Sequence, residues 1–233
     1  MVPATVLKWP PVCFCIDMTS SKSLGAAKYV PQRATLPQLR EAAQKCKGCE
    51  LYRNATQAVL GEGPSHARIL MVGEQPGDKE DLAGKPFVGP AGALLDRALA
   101  DAGIDRSDVY ITNAVKHFKF EERGKRRIHK KPSETEVVAC RPWLDAELAL
   151  LHPEIVVCLG ATAARALIGK QHRVLRDRGQ FVAHPMVKNI TATVHPSAIL
   201  RSPDPDERRA AYDNFVKDLK AVRQKLQTAA GAH

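Results

Sequence analysis

Arg68-Ile69-Leu70-Met71-Val72 passes straight into Gly73-Glu74-Gln75-Pro76-Gly77-Asp78. A short apolar run closed by glycine and proline is the pattern of a strand buried on both faces and followed by a sharp turn. The pattern recurs three times. Asp108-Val109-Tyr110-Ile111-Thr112 ends at Asn113, Glu154-Ile155-Val156-Val157-Cys158 opens onto Gly160-Ala161-Thr162, and Asn189-Ile190-Thr191-Ala192-Thr193-Val194 delivers His195-Pro196-Ser197. Helical patterns fill the intervals. Leu36 to Lys45 reads as a short helix. Ala91 to Ala102 carries Leu94, Leu95, Ala98 and Leu99 on one face and stops at Gly103. Ser133 with Glu136 forms a capping box for a helix to about Leu150. Thr162 to Ile168 is a further short helix, and Asp206 to Thr228 is a long one with a Tyr212, Phe215, Leu219, Val222, Leu226 stripe. Strands alternating with helices predict an α/β fold: a single domain with a central, mainly parallel four-stranded sheet flanked by helices. Ligands of such sheets bind outside the carboxyl ends of the strands, so the polar residues at these four ends predict one shared cleft.

The chain has 233 residues, with 35 Lys and Arg against 25 Asp and Glu, a formal net charge of +10. That surplus favours a polyanionic partner, nucleic acid ahead of membrane; the competing reading is a basic enzyme whose charges only solvate it. No apolar run approaches the ~18 residues that span a bilayer. Residues 1–35 read as a disordered extension, because Val12-Cys13-Phe14-Cys15-Ile16 is too brief for a secretory core. Residues 36–228 form the predicted domain and 229–233 a tail.

Six cysteines are present: Cys13, Cys15, Cys46, Cys49, Cys140 and Cys158. Cys46-Lys47-Gly48-Cys49 is a C-x2-C knuckle whose two thiolates can grip one metal centre, and Cys140 with Cys158 offers a second pair. Four thiolates suit zinc or an iron–sulfur cluster, and spacing does not choose between them. Cys158 has a competing reading as a small core residue of an apolar strand.

The loops carry the chemistry. The segment from Gly73 to Gly77 has neither G-x-G-x-x-G nor a Walker lysine, which argues against a nucleotide-phosphate cradle. Glu74, Gln75 and Asp78 serve a cleft or cap the turn. Phe87, inside Gly84-Lys85-Pro86-Phe87-Val88-Gly89-Pro90, is a core plug or a platform for a flat ring. Asn113 presents a donor and an acceptor side by side, as reading a base edge requires, or else is a turn residue. His195 is a ligand contact on a backbone stiffened by Pro196. From Lys116 to Lys131 the chain is strongly basic, and such a run grips phosphates or is simply solvated.

In this order the segments resemble the iron–sulfur uracil-DNA glycosylases. Gly73-Glu74-Gln75-Pro76-Gly77-Asp78-Lys79-Glu80-Asp81 and the loop from Gly84 to Gly92 are similar to the first motif of that family. Asn113-Ala114-Val115-Lys116 and His195-Pro196-Ser197-Ala198-Ile199-Leu200-Arg201 are similar to the later motifs, and the resemblance extends from about Leu36 to Leu226. It implies that Cys46, Cys49, Cys140 and Cys158 hold a [4Fe–4S] cluster. Gln75, in place of a small residue, and Gly124-Lys125-Arg126-Arg127-Ile128-His129-Lys130 resemble the UdgX branch, whose members become covalently joined to uracil-DNA through a loop histidine. The resemblance therefore implies His129 as the attacking residue, with Glu74 and His195 as its catalytic partners. Gln75, Asp78, Phe87, Asn113, Ser197 and Arg201 are implied around the substrate, and Lys125, Arg126, Arg127 and Lys130 on the DNA backbone. The implied partner is uracil-containing DNA, single-stranded, and the protein an intracellular, cytoplasmic monomer without a membrane. A multiple-turnover glycosylase releasing free abasic DNA, and a non-catalytic binder of uracil-DNA or single-stranded DNA, are the alternatives.

Overall fold

The computed structural model describes residues 25–230. The helices in chain order are α1 (Leu36–Ala43), α2 (Asp78–Ala83), α3 (Pro90–Ala102), α4 (Glu134–Leu151), α5 (Ala161–Leu167), α6 (Val174–Asp177), α7 (Pro196–Leu200) and α8 (Pro205–Ala230). The strands are β1 (Ile69–Gly73), β2 (Val109–Asn113), β3 (Phe120–Arg123), β4 (Arg126–His129), β5 (Ile155–Leu159), β6 (Val182–His184) and β7 (Val187–Thr193). The central sheet has the order β2-β1-β5-β7-β6. The four expected strands run parallel. A fifth, β6, is added antiparallel at the edge. It escapes a sequence reading because Val182-Ala183-His184 is short and mostly exposed, so no buried apolar run marks it.

Alternation of side chains sorts the sheet into two faces. Ile69, Met71, Val109, Ile111, Ile155 and Val157 pack with α3 and α8 through Leu95, Leu99, Phe215 and Leu219. Leu70, Val72, Tyr110, Val156 and Cys158 face the other way, onto Leu144 and Leu148 of α4 and Ala163 and Ala164 of α5. Each fully buried aliphatic side chain of this kind stabilises the fold by roughly 1.5–3 kcal/mol. A third apolar cluster joins α1 to the first half of α4 through Leu39, Cys46, Val115, Cys140 and Trp143. It also contains buried Ala26, whose amide donates to Ala139. Ordered structure thus begins ahead of Leu36, with a 3-10 turn at Ala27–Tyr29, while residues 1–24, including Cys13 and Cys15, lie outside the described residues.

One polar device is buried in the sheet. The Lys116 ammonium donates to Glu147 at 2.6 Å, to Thr112 Oγ1 at 2.7 Å and to the Asn113 carbonyl at 2.7 Å. Glu147 also accepts from Thr112 and Tyr110 and from the Gly61 amide. Burial and the neighbouring carboxylate push the Tyr110 phenol well above its usual range. Both charges of the pair are fully buried, so removing one partner alone costs on the order of 3–5 kcal/mol. The ammonium fixes the backbone at the end of β2, where Asn113 leaves the sheet.

The basic segment after Asn113 is folded as an antiparallel hairpin, β3–β4, with Phe120 opposite His129 and Arg123 opposite Arg126. Gly124 takes the tight turn at φ 59°, a left-handed conformation that favours glycine.

Candidate active site

Parallel register lines up the strand ends. Gly73 pairs with Asn113 and Leu159 with Thr193, so Glu74, Asn113, Gly160 and His195 emerge beside one another. They line a cleft of about 750 Å3. The strand order places it where β1's neighbours diverge, β2 on one side and β5 on the other, which is the usual ligand position in such sheets.

The floor is made by Asn113 and Phe87. Asn113 is 1 % exposed, and its Oδ1 has no hydrogen-bond partner. Such an orphaned acceptor costs about 1–3 kcal/mol unless a ligand satisfies it. A Cβ on Gly73 would stand 2.3 Å from that oxygen and 2.9 Å from the Phe87 ring, so only glycine lets both groups close over the end of β1. Phe87 has a left-handed backbone, φ 56°, a strained conformation that turns its ring toward the cleft. The ring also packs on the core and lies 5.7 Å from the His195 ring. Phe87 is therefore both plug and platform.

His195 is half-buried and caps α7. Its Nδ1 accepts from the Ser197 amide at 3.2 Å and contacts the Ser197 hydroxyl at 2.8 Å. Arg201 donates to that same hydroxyl at 3.0 Å. With Nδ1 occupied as an acceptor, the ring proton resides on Nε2. Burial first, then the positive charges of Arg201 and His129, push the His195 pKa down to about 4. His195 is thus a neutral N–H donor at physiological pH. Ser197 and Arg201 line the same cleft, and their hydrogen bonds orient this ring.

On the opposite wall, Glu74 accepts from the Thr162 hydroxyl through one oxygen. Its other oxygen lies 3.6 Å from His129 Nε2. His129 stands at the end of β4, with its side chain 48 % exposed and its ring 6.0 Å from Phe118. Partial burial is the largest influence on its pKa and lowers it; Glu74 opposes that and Arg201 adds to it. The imidazole therefore holds a free lone pair at neutral pH. Thr162 was placed at a strand end by the sequence but given no role of its own there. Its only signal was its place just beyond the apolar run of β5.

The hairpin is pinned by groups first read as substrate or DNA contacts. Gln75 is buried, and its amide donates to the Lys119 and Lys130 carbonyls at 3.1 and 3.0 Å and accepts from the Lys119 amide. Asp78 is not among the residues lining the cleft and lies 2.6 Å from Arg127. Arg127 also reaches fully buried Asp81 at 2.6 Å and lies over the Phe118 and Phe120 rings. The expectation that Arg127 meets a DNA phosphate is thereby corrected: two carboxylates already neutralise it, and its side chain is only 19 % exposed. Lys130 pairs with Glu121, whereas Lys125 and Arg126 make no ion pair among the described residues.

The cysteines divide three to one. Cys46, Cys49 and Cys140 interact with one another, and burial pushes the Cys49 and Cys140 thiols up, to about 12 for Cys140. Trp143 donates to Cys46 Sγ and the Lys116 amide to Cys140 Sγ, each at 3.2 Å. Cys158 does not join them. It pairs between Val72 and Ala192 in the middle of the sheet and packs in the separate cluster beneath α4 and α5. The expectation of a fourth cysteine ligand is corrected accordingly, since β pairing on both sides holds Cys158 as a core residue. Among the described residues no three His, Cys, Asp or Glu side chains converge as a single-metal site.

This combination, a parallel sheet with a polar cleft at its strand ends, coincides with a family match. Residues 60–220 match the uracil DNA glycosylase superfamily, and the chain belongs to it. Among its relatives, the type-4 uracil-DNA glycosylase of Thermotoga maritima is 37 % identical over 185 residues, covering 79 % of this chain and 93 % of that protein. The type-4 enzyme of Pyrobaculum aerophilum is 38 % identical over 192 residues, with coverage of 79 % and 91 %. A type-5 uracil-DNA glycosylase of Thermus thermophilus is 35 % identical over 161 residues, covering 60 % and 68 %. No helix among the described residues is long and apolar enough to cross a membrane.

Proposed function

We propose that this protein excises uracil from DNA and then captures the resulting sugar on His129. The observation that carries this reading is His129 Nε2 beside Glu74, 3.6 Å away, on the rim of the cleft that Asn113 and His195 line. Uracil must leave the base stack to reach such a site, at a cost of a few kcal/mol that stacking on Phe87 offsets. Uracil presents an N3–H donor beside a carbonyl acceptor, complementary to the orphaned Asn113 Oδ1 and its amide nitrogen. Cytosine presents the reverse pattern and is refused.

Cleavage breaks the bond between C1′ and the base nitrogen, and the bonding electrons leave with the uracil. The Nε2–H of neutral His195 stabilises the anion at a carbonyl oxygen, a contribution of ~3 kcal/mol for a well-placed donor. The sugar is left as an oxocarbenium ion. Glu74, kept as an acceptor by Thr162, steadies that cation. A lone pair of His129 then forms a nitrogen–C1′ bond, and the imidazole proton passes to Glu74 or to solvent. Imidazole held in place outcompetes water through its high effective concentration.

Cys46, Cys49 and Cys140 are assigned to a [4Fe–4S] cluster. His117, buried directly after the amide that bonds Cys140, is assigned as the fourth ligand in place of Cys158. Such a cluster would be held by deprotonated thiols and would tie the knuckle that follows α1 to α4. Cleavage of a glycosidic bond requires no electron from it. Anaerobically purified protein should be brown, with iron and sulfide retained in Cys158→Ser and lost in Cys140→Ser and His117→Ala. A colourless protein with stoichiometric zinc, or iron lost with Cys158→Ser, overturns the assignment.

The functional test is a denaturing gel of protein mixed with a labelled uracil-containing single strand. A heat-resistant shifted band is expected, absent with thymine and absent in His129→Ala, which still releases uracil. Free abasic product without the band makes this a multiple-turnover glycosylase. Neither signal leaves only a binder.

A further inference from the structure

Next to the cleft runs a second groove, of about 860 Å3, between the first half of α4 and α5. Lys131 and Thr162 line both, so the two adjoin. Its floor is apolar, with Val137, Pro142 and Ala166, and Val138 stands 65 % exposed upon it. Its rim is basic. Arg141 is paired with Asp145 and Lys170 with Glu134, but the side chains of Lys131, Arg165 and Arg173 have no ion pair or hydrogen bond among the described residues. All three are exposed. Glu134 is the one carboxylate in the lining, and Lys170 neutralises it.

We propose that this groove holds the single DNA strand on one side of the extruded nucleotide, with bases against the Val137–Val138 floor and phosphates on Lys131, Arg165 and Arg173. The inference rests on the excision reading, since a strand entering the adjoining cleft is what brings its flanking nucleotides to this groove. Free cations along an apolar trough are the combination that single-strand binding requires: charge for the backbone and a non-selective surface for the bases. A protein partner would need acidic groups at the same spacing, and nothing else on this face favours one.

The groove is testable without catalysis. The probe is a thymine-only single strand of twenty nucleotides, bound to full-length wild type and to an Arg165→Gln/Arg173→Gln double variant over a range of salt. Removing one cation from a single-strand phosphate lowers the log–log salt slope by ~0.7, so the double variant should bind about tenfold more weakly with a slope shallower by ~1.4. A uracil-centred trinucleotide, too short to fill the groove, should be processed equally by both proteins. Val138→Asp, which places a carboxylate on the floor, should weaken the long strand and spare the short one. An unchanged salt slope, equal loss on the trinucleotide, or an acidic peptide that displaces the long strand would each overturn the proposal. If wild type releases no uracil from the trinucleotide, the excision reading fails, while the salt-slope result still decides the groove.

Discussion

The two walls of the cleft are built by opposite means. One wall, with Asn113, Phe87 and His195, stands on strand ends fixed by parallel register and by buried groups such as the Lys116–Glu147 pair. The other is the base of a mostly exposed two-stranded hairpin, at His129, whose place is set by side chains reaching up from the domain: Gln75, Asp78 and Asp81, and the Lys119–Glu136 pair. In the proposed reading, the groups that recognise a base are carried by the rigid wall, and the group that captures the sugar by the pinned arm. Recognition depends on complementarity, which a sheet end preserves; capture requires only that one nitrogen be held within reach.

Breaking the rigid wall should have the larger effect. Asn113→Ala removes the buried, unsatisfied acceptor that lines the cleft, together with its amide donor. Uracil release under single-turnover conditions should fall about a hundredfold, the size expected when a buried polar reader is deleted. Affinity for thymine-containing strands should hardly move, because phosphate contacts supply it. Excision at the wild-type rate would remove Asn113 from its assigned role.

Breaking the arm should separate the two steps. Gln75→Ala deletes three hydrogen bonds that hold the hairpin on both of its flanks, at Lys119 and Lys130. At ~1 kcal/mol net for each, the docked hairpin loses ~2–3 kcal/mol relative to a released one. Adduct formation should fall at least about tenfold, while uracil release stays within about threefold of wild type. Gel bands and free uracil counted from the same reaction give that ratio. A parallel loss of both would mean that the arm also serves recognition, and the contrast between the walls would dissolve.

The sheet was legible in the sequence because four apolar runs bounded by turn residues leave few alternatives, and the cleft followed from where such runs end. The hairpin was not legible as structure. Phe120 to His129 has no buried face, so no period-2 alternation marked its strands; it is held by long-range contacts with Gln75 and Asp81 that no local pattern encodes. For the same reason Arg127 looked like a phosphate contact: a guanidinium in a basic run gives no sign of two carboxylates more than forty positions earlier. Cys158 erred in the other direction. The resemblance favoured a cluster ligand over the competing core reading, yet an apolar strand with neighbours on both sides leaves no room for a cluster.

The smallest effect, and the sharpest test of how the walls interact, is in pH. Capture requires neutral His129, whose pKa is lowered chiefly by partial burial, with Arg201 adding to the shift and Glu74 working against it. A lowered pKa means that the free lone pair persists as pH falls through the ordinary histidine value of ~6.5 and is lost only below the depressed value. Adduct formation should therefore be flat from pH 8 to about 6.5 and decline only in more acidic buffer, where each further unit lowers it about tenfold. His195, held down to about 4, stays a neutral donor across this range, so the decline belongs to His129 alone. Glu74→Gln removes the largest influence that raises the His129 pKa, and should move the acidic limb to still lower pH. Movement of that limb toward higher pH would show that Glu74 does not act on the imidazole as a charge, and that the rim of the cleft is wired differently.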